Sequence, residues 1–83
     1  MDTATELDGR IRDVMADILE VEPGDIGDGF GRGDAPSWDS MNHLRMVSAL
    51  EEAFGVQFTM KEVGEMERFD TIRRLVSGRL QGR

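Results

Sequence analysis

The chain has 83 residues, no cysteine, and 10 Lys+Arg against 17 Asp+Glu for a net charge of −7. That composition excludes a disulfide scaffold and a cysteine-ligated zinc set, and its acidity argues against a nucleic-acid-binding surface. A hydrophobic content of 39 % argues against global disorder, and a chain this short buries only about 60 % of its unfolded surface, so one small domain held by packing alone is expected.

The opening Met1-Asp2-Thr3-Ala4-Thr5-Glu6 has neither a basic region nor an apolar run, so it does not read as a signal peptide and a cytoplasmic location is expected. Leu7, Ile11, Val14 and Ile18 are spaced by four, three and four residues, one helical stripe that Met15 and Leu19 broaden. Thr3 or Thr5 is the expected cap, and Pro23-Gly24 the expected stop, with Val21 as a last contact.

Residues 20–38 then read as a long loop with five glycines and little regular structure, anchored by Ile26, Phe30 and Trp38. Loops of this length are uncommon in small domains unless they are functional or disordered. The spacing predicts a second helix over residues 40–54, capped by Asp39 or Ser40, with Met41, Leu44, Val47, Leu50 and Phe54 as its apolar stripe. Gly55 stands where a left-handed terminator belongs, and Val56 and Phe58 follow as packing residues.

Thr59 and Glu62 fit a capping box for a short third helix, about 60–66, with Val63 and Met66 on its buried side. Asp70 is the expected cap of a last helix whose apolar face is Ile72, Leu75, Val76 and Leu80, and Gly82-Arg83 should fray. The whole is therefore predicted to be all-α: a small four-helix bundle with a long first connection and a short third helix lying over the other three. The six methionines suit a deformable core.

Charge is uneven along the chain. Residues 1–60 carry 4 Lys+Arg and 13 Asp+Glu, while residues 61–83 carry 6 and 4. An acidic front suits docking onto basic protein surfaces, although ordinary solubility explains it equally well.

Most dinucleotide, phosphate and metal motifs are missing. Gly27, Gly29, Gly31 and Gly33 alternate without making Gly-x-Gly-x-x-Gly, no Gly-Lys-Ser/Thr occurs, and Asp25, Asp28 and Asp34 miss the EF-hand spacing. His43 is the only histidine and lies close to Ser40 in sequence. A hydrolase needs an oxyanion hole and a nucleophile elbow that the sequence lacks, so His43 is expected on the surface.

Ser40 remains the residue of interest. It follows Asp39 at the start of the second helix, where an exposed serine is first of all a favoured cap. Asp39 can take that role, which would leave the Ser40 hydroxyl free at a positive helix end suited to a phosphate group. Asp39-Ser40-Met41, followed by Leu44, Val47, Leu50-Glu51-Glu52 and Phe54-Gly55, resembles the acyl carrier proteins, and the likeness extends through helix order, length and acidity over nearly the whole chain.

The resemblance implies 4′-phosphopantetheine attached to Ser40 by a phosphopantetheinyl transferase, with the cargo held on its thiol as a thioester, and no catalytic or metal-binding residue in this chain. It also implies a monomer whose second helix docks onto basic surfaces of acyl-loading and acyl-processing enzymes. Met41 would make an apolar contact, Glu52 would meet a partner cation, and Asp39 would lie beside the arm. Arg45 stands where many fatty-acid carriers have Glu, and Ser48 lies further along the same side.

Arg45 could reverse a charge in the recognition strip, pair with Glu51 or Glu52, or be solvated. Together with Trp38 and Met41 it suggests a dedicated carrier in polyketide or related natural-product assembly rather than a fatty-acid carrier. Peptidyl carriers usually show Gly-Gly-x-Ser, which Trp38-Asp39-Ser40 does not match. A carrier of aminoacyl or small hydroxyacyl units, or an unmodified helical adaptor, are the rival readings.

Overall fold

The four-three-four spacing of apolar residues does make a first helix, α1, over Thr3–Leu19, followed by α2 (Ser40–Phe54), α3 (Met60–Glu65) and α4 (Phe69–Gln81). The computed structural model describes residues 3–82, with side-chain surroundings from residue 6 onward. The side chains of Thr3 and Thr5, Met1 and Arg83 thus lie outside the described residues. Among those described, the chain is all-helical, with four helices around one core. None is long and apolar enough to cross a membrane.

The stripe of α1 is rotated from its predicted centre. Ile11, Met15, Ala16 and Leu19 are buried, whereas Leu7, Val14 and Ile18 are only partly covered. The cause is that α1 packs against the first connection as well as against α2 and α4, so Met15 and Leu19 face the centre. The helix ends on Glu20 in the left-handed region (φ 57°), after which Val21 N–H returns to Ala16 O at 3.2 Å. The stop thus falls before Pro23, as its ring requires.

Residues 20–38 are more ordered than their glycine content predicts. Single 3₁₀ turns form at Pro23–Asp25 and Arg32–Asp34, and Gly31 pairs with Arg68 as an isolated antiparallel bridge. Arg12 Nε donates to Ile26 O at 2.7 Å, and the Ser37 hydroxyl donates to Leu19 O at the end of α1. Ile26 and Trp38 are buried as expected, and Ala35 joins them. Phe30 is half-buried and stacks on Trp38 with ring centroids 6.0 Å apart.

Asp39 is the cap of α2, its Oδ1 accepting from Asn42 N–H at 2.8 Å. The other end closes on Gly55 in the left-handed region (φ 65°), where a Cβ would be strained. The buried face is His43, Met46, Val47, Leu50 and Phe54. Met41 and Leu44, predicted on that face, are instead 68 % and 56 % exposed. Among the described methionines only Met15, Met46 and Met66 fill the core, while Met41 and Met60 face outward.

The capping box of α3 forms as predicted: Thr59 Oγ1 accepts from Glu62 N–H at 3.1 Å, and Thr59 N–H donates to Glu62 Oε1 at 2.9 Å. The helix ends one residue early, with Met66 as a fully buried cap and Val63 partly covered.

Asp70 does not cap α4. The helix begins at Phe69, and Asp70 lies in its first turn with its carboxylate on Arg68 at 3.2 Å. A capping side chain is dispensable because the first connection meets the orphan donors: Phe69 N–H reaches Phe30 O at 2.9 Å and Asp70 N–H reaches Asp28 O at 3.2 Å. Phe69, Ile72 and Val76 are buried, and Leu75 and Leu80 pack at the margin. Gly82 is still hydrogen-bonded, to Gly78 O at 3.1 Å.

Candidate functional site

Ser40 opens α2 as its first helical residue, and its side chain is exposed. Because Asp39 supplies the cap, Ser40 Oγ is not drawn into satisfying the helix end. It is not free, however, as the sequence suggested. Arg32, from the second 3₁₀ turn, donates from Nη2 to Ser40 Oγ at 3.1 Å. The Ser40 hydroxyl proton itself is donated to no group among the described residues.

Arg32 is held at several points. Its Nε donates to Trp38 O at 3.3 Å, and its Nη1 lies 3.4 Å from Glu67 Oε1. Its backbone N–H reaches Glu67 O at 3.0 Å. Asp34 closes the turn beneath it by accepting from Gly31 N–H at 2.8 Å. No sequence signal marks Arg32, because its approach to Ser40 depends on how the glycine-rich connection folds back.

Behind the serine, His43 is buried rather than exposed. It points inward between the first connection and α3: Trp38 Nε1–H donates to His43 Nδ1 at 3.0 Å, and His43 Nε2 lies 2.7 Å from Val63 O. A carbonyl only accepts, so the ring proton sits on Nε2. Both nitrogens are thereby used in structure, and neither is directed at Ser40. The spacing carried a signal for this, since His43 precedes Met46, Val47, Leu50 and Phe54 by three, four, seven and eleven residues.

The remaining candidates lie together along one exposed strip of α2. Met41, Arg45, Ser48 and Glu52 line a shallow groove with Leu44, Ala49 and Ile18 of α1. Leu44 was missed as a surface residue, and with Met41 it makes this strip apolar at the end nearest Ser40. Among the described residues Arg45 forms no ion pair, so of the readings left open for it the pairing with Glu51 or Glu52 is not realised. Glu51 instead turns back to accept from Phe58 N–H at 2.9 Å.

Glu62, in the first turn of α3, is held under the ordinary carboxylate value of 4.5 by the Thr59 backbone N–H; partial burial opposes this and Arg79 adds to it. It serves α3 and its tie to α4 rather than the serine.

Chemically, the arrangement presents a hydroxyl with an unused proton, a guanidinium already bonded to its oxygen, and an apolar-to-charged strip leading away from it. Among the described residues no carboxylate or imidazole contacts Ser40 Oγ, and the one side chain that does is the Arg32 guanidinium. No protein-family model matches the chain, and no curated protein matches it.

Proposed function

We propose that the chain is an acyl carrier protein that holds its cargo on 4′-phosphopantetheine attached at Ser40. The observation that carries this reading is the separation of roles at the start of α2. Asp39 takes the cap, so Ser40 is left exposed with a hydroxyl proton to lose and no structural task that needs it. A serine kept only as a cap would not stand one residue inside a cap that already works.

The residues fit a phosphodiester. Ser40 Oγ would carry the ester bond, and Arg32 supplies a cation beside it. When bound, the group supplies a terminal thiol that this cysteine-free chain lacks. The protein's own part is to present that thiol: the 15-residue α2 fixes the attachment point, and the exposed strip of Met41, Leu44, Arg45, Ser48 and Glu52 offers a surface to partner enzymes. Tethering raises the effective concentration of the cargo wherever the strip docks. Arg45, unpaired within that strip, supports a dedicated carrier of polyketide or related natural-product assembly.

The test is intact mass after incubation with coenzyme A, magnesium and a broad-specificity phosphopantetheinyl transferase. The expected result is the gain of one phosphopantetheine by the parent and none by Ser40→Ala. A folded parent that gains nothing with two different transferases overturns the reading and favours an unmodified adaptor using the same strip.

A further inference from the structure

Arg32 is one of only four cationic residues in the first sixty, a stretch that carries 13 carboxylates, and its guanidinium rests on the hydroxyl of Ser40. Solubility does not require a cation there. Nor does the shape of the connection rest on its side chain alone, because the turn is also closed by Asp34 and by backbone bonds from Arg32 N–H to Glu67 O and from Phe69 N–H to Phe30 O.

We propose that Arg32 is a positioning residue for the phosphodiester: in the unmodified chain it holds the Ser40 hydroxyl, and after modification its guanidinium holds a non-bridging phosphate oxygen, fixing the base of the arm against the 31–34 turn. The inference rests on the carrier reading of Ser40 and goes beyond it.

Attachment forms a bond between Ser40 Oγ and the phosphorus of coenzyme A that bears the pantetheine. The bond from that phosphorus to the 3′,5′-adenosine bisphosphate leaving group breaks, and the serine proton passes to a base of the transferase. Ser40 Oγ thereby becomes an ester oxygen, a poorer acceptor, while a full negative charge is shared by two oxygens on the adjacent phosphorus. A guanidinium already 3.1 Å from Oγ needs only a small displacement to reach one of them. Charge-assisted bonds of this kind are roughly twice as strong as neutral ones.

Glu67 is the competitor. It lies 3.4 Å from Nη1 with its side chain 56 % exposed, so water screens that pair. Trp38 O, belonging to a buried residue, keeps Nε in place during the exchange. The backbone of Arg32 is fixed through Glu67 O, so little ordering remains to be done when the phosphate is gripped.

The test compares parent, Arg32→Lys and Arg32→Gln, each treated with coenzyme A, magnesium and transferase until intact mass shows full conversion. Two signals are read by NMR: the phosphodiester phosphorus and the Arg32 guanidinium protons. In the parent, modification should move the guanidinium protons downfield and slow their exchange with water. The phosphorus resonance should shift in Arg32→Gln towards that of a free diester, with Arg32→Lys between the two because it keeps the charge and loses the fork.

Guanidinium protons unchanged by modification, or a phosphorus resonance indifferent to Arg32→Gln, overturn the proposal while leaving the carrier reading intact. Displacement of the backbone amides of residues 28–34 and 67–70 in unmodified Arg32→Gln also overturns it, by showing that the side chain shapes the connection. A parent that gains no mass removes the carrier reading and this proposal together.

Discussion

Trp38 and His43 form a buried pair in which the indole N–H donates to the imidazole Nδ1 at 3.0 Å, their rings nearly parallel at 20°. One partner ends the first connection and the other belongs to the second turn of α2, so the pair sets where the connection stops and Ser40 begins. His43 Nε2 extends the link to α3 through Val63 O. His43→Leu leaves the buried Trp38 N–H and the part-buried Val63 carbonyl unpaired, and an unpaired buried group costs about 1–3 kcal/mol. Unfolding followed by emission of Trp38, the single tryptophan, should show a loss of about 3 kcal/mol. A loss well under about 1 kcal/mol would contradict the buried pairing.

Asp39 and Ser40 are neighbours with separable tasks. Asp39→Ala removes the bond to Asn42 N–H and should lower stability by about 1 kcal/mol. Ser40→Ala gives up only an exposed bond from Arg32, so its stability from urea unfolding should stay within about 0.5 kcal/mol of the parent. The reverse ranking would mean that Ser40 is the working cap.

Much of this organisation was legible in the sequence because it is local. Pro23, Gly55 and the Thr59–Glu62 pair act within a turn of themselves, so helix ends could be read directly from them. The failures share a different cause. Asp70 looked like a cap, but Phe30 and Asp28 supply carbonyls from a distant segment. His43 looked exposed because no hydrolase motif gave it a task, yet two groups outside its own helix satisfy it. Arg32 could not be assigned at all, since its bond to Ser40 exists only after the glycine-rich connection has turned twice.

Glu62 makes the third helix sensitive to acid. Its carboxylate is held below 4.5 in the folded state, chiefly by the Thr59 N–H, so the folded protein binds its proton less readily than the unfolded chain. The stabilisation is complete above that ordinary value and is lost as pH falls through the depressed one. Urea midpoints measured across the acid range should fall less steeply for Glu62→Gln, which keeps a box-forming side chain but cannot titrate. Equal slopes for the two proteins would refute the assignment.

Arg45 sets a cation in the same strip as Glu52. Against a transferase whose docking surface is basic, Arg45→Glu should speed modification of Ser40 by about threefold at low salt, with the advantage fading as salt is added. An unchanged rate at every ionic strength would place Arg45 outside the docking surface. A slower rate would mean that the partner presents an acid to it.

The backbone bonds between Asp28 and Asp70, Phe30 and Phe69, and Arg32 and Glu67 join segments separated by 35 to 42 residues of chain. Contacts that distant are closed late, because their loop entropy must be met before they are gained. The order of synthesis therefore matters for Ser40. A growing chain that has already made α1 and α2 has the serine but not Glu67 to Asp70, and so lacks the segment that seats Arg32. The surroundings of Ser40 are complete only once residues 67–70 have been made, which makes that downstream segment a checkpoint on a serine it does not contain.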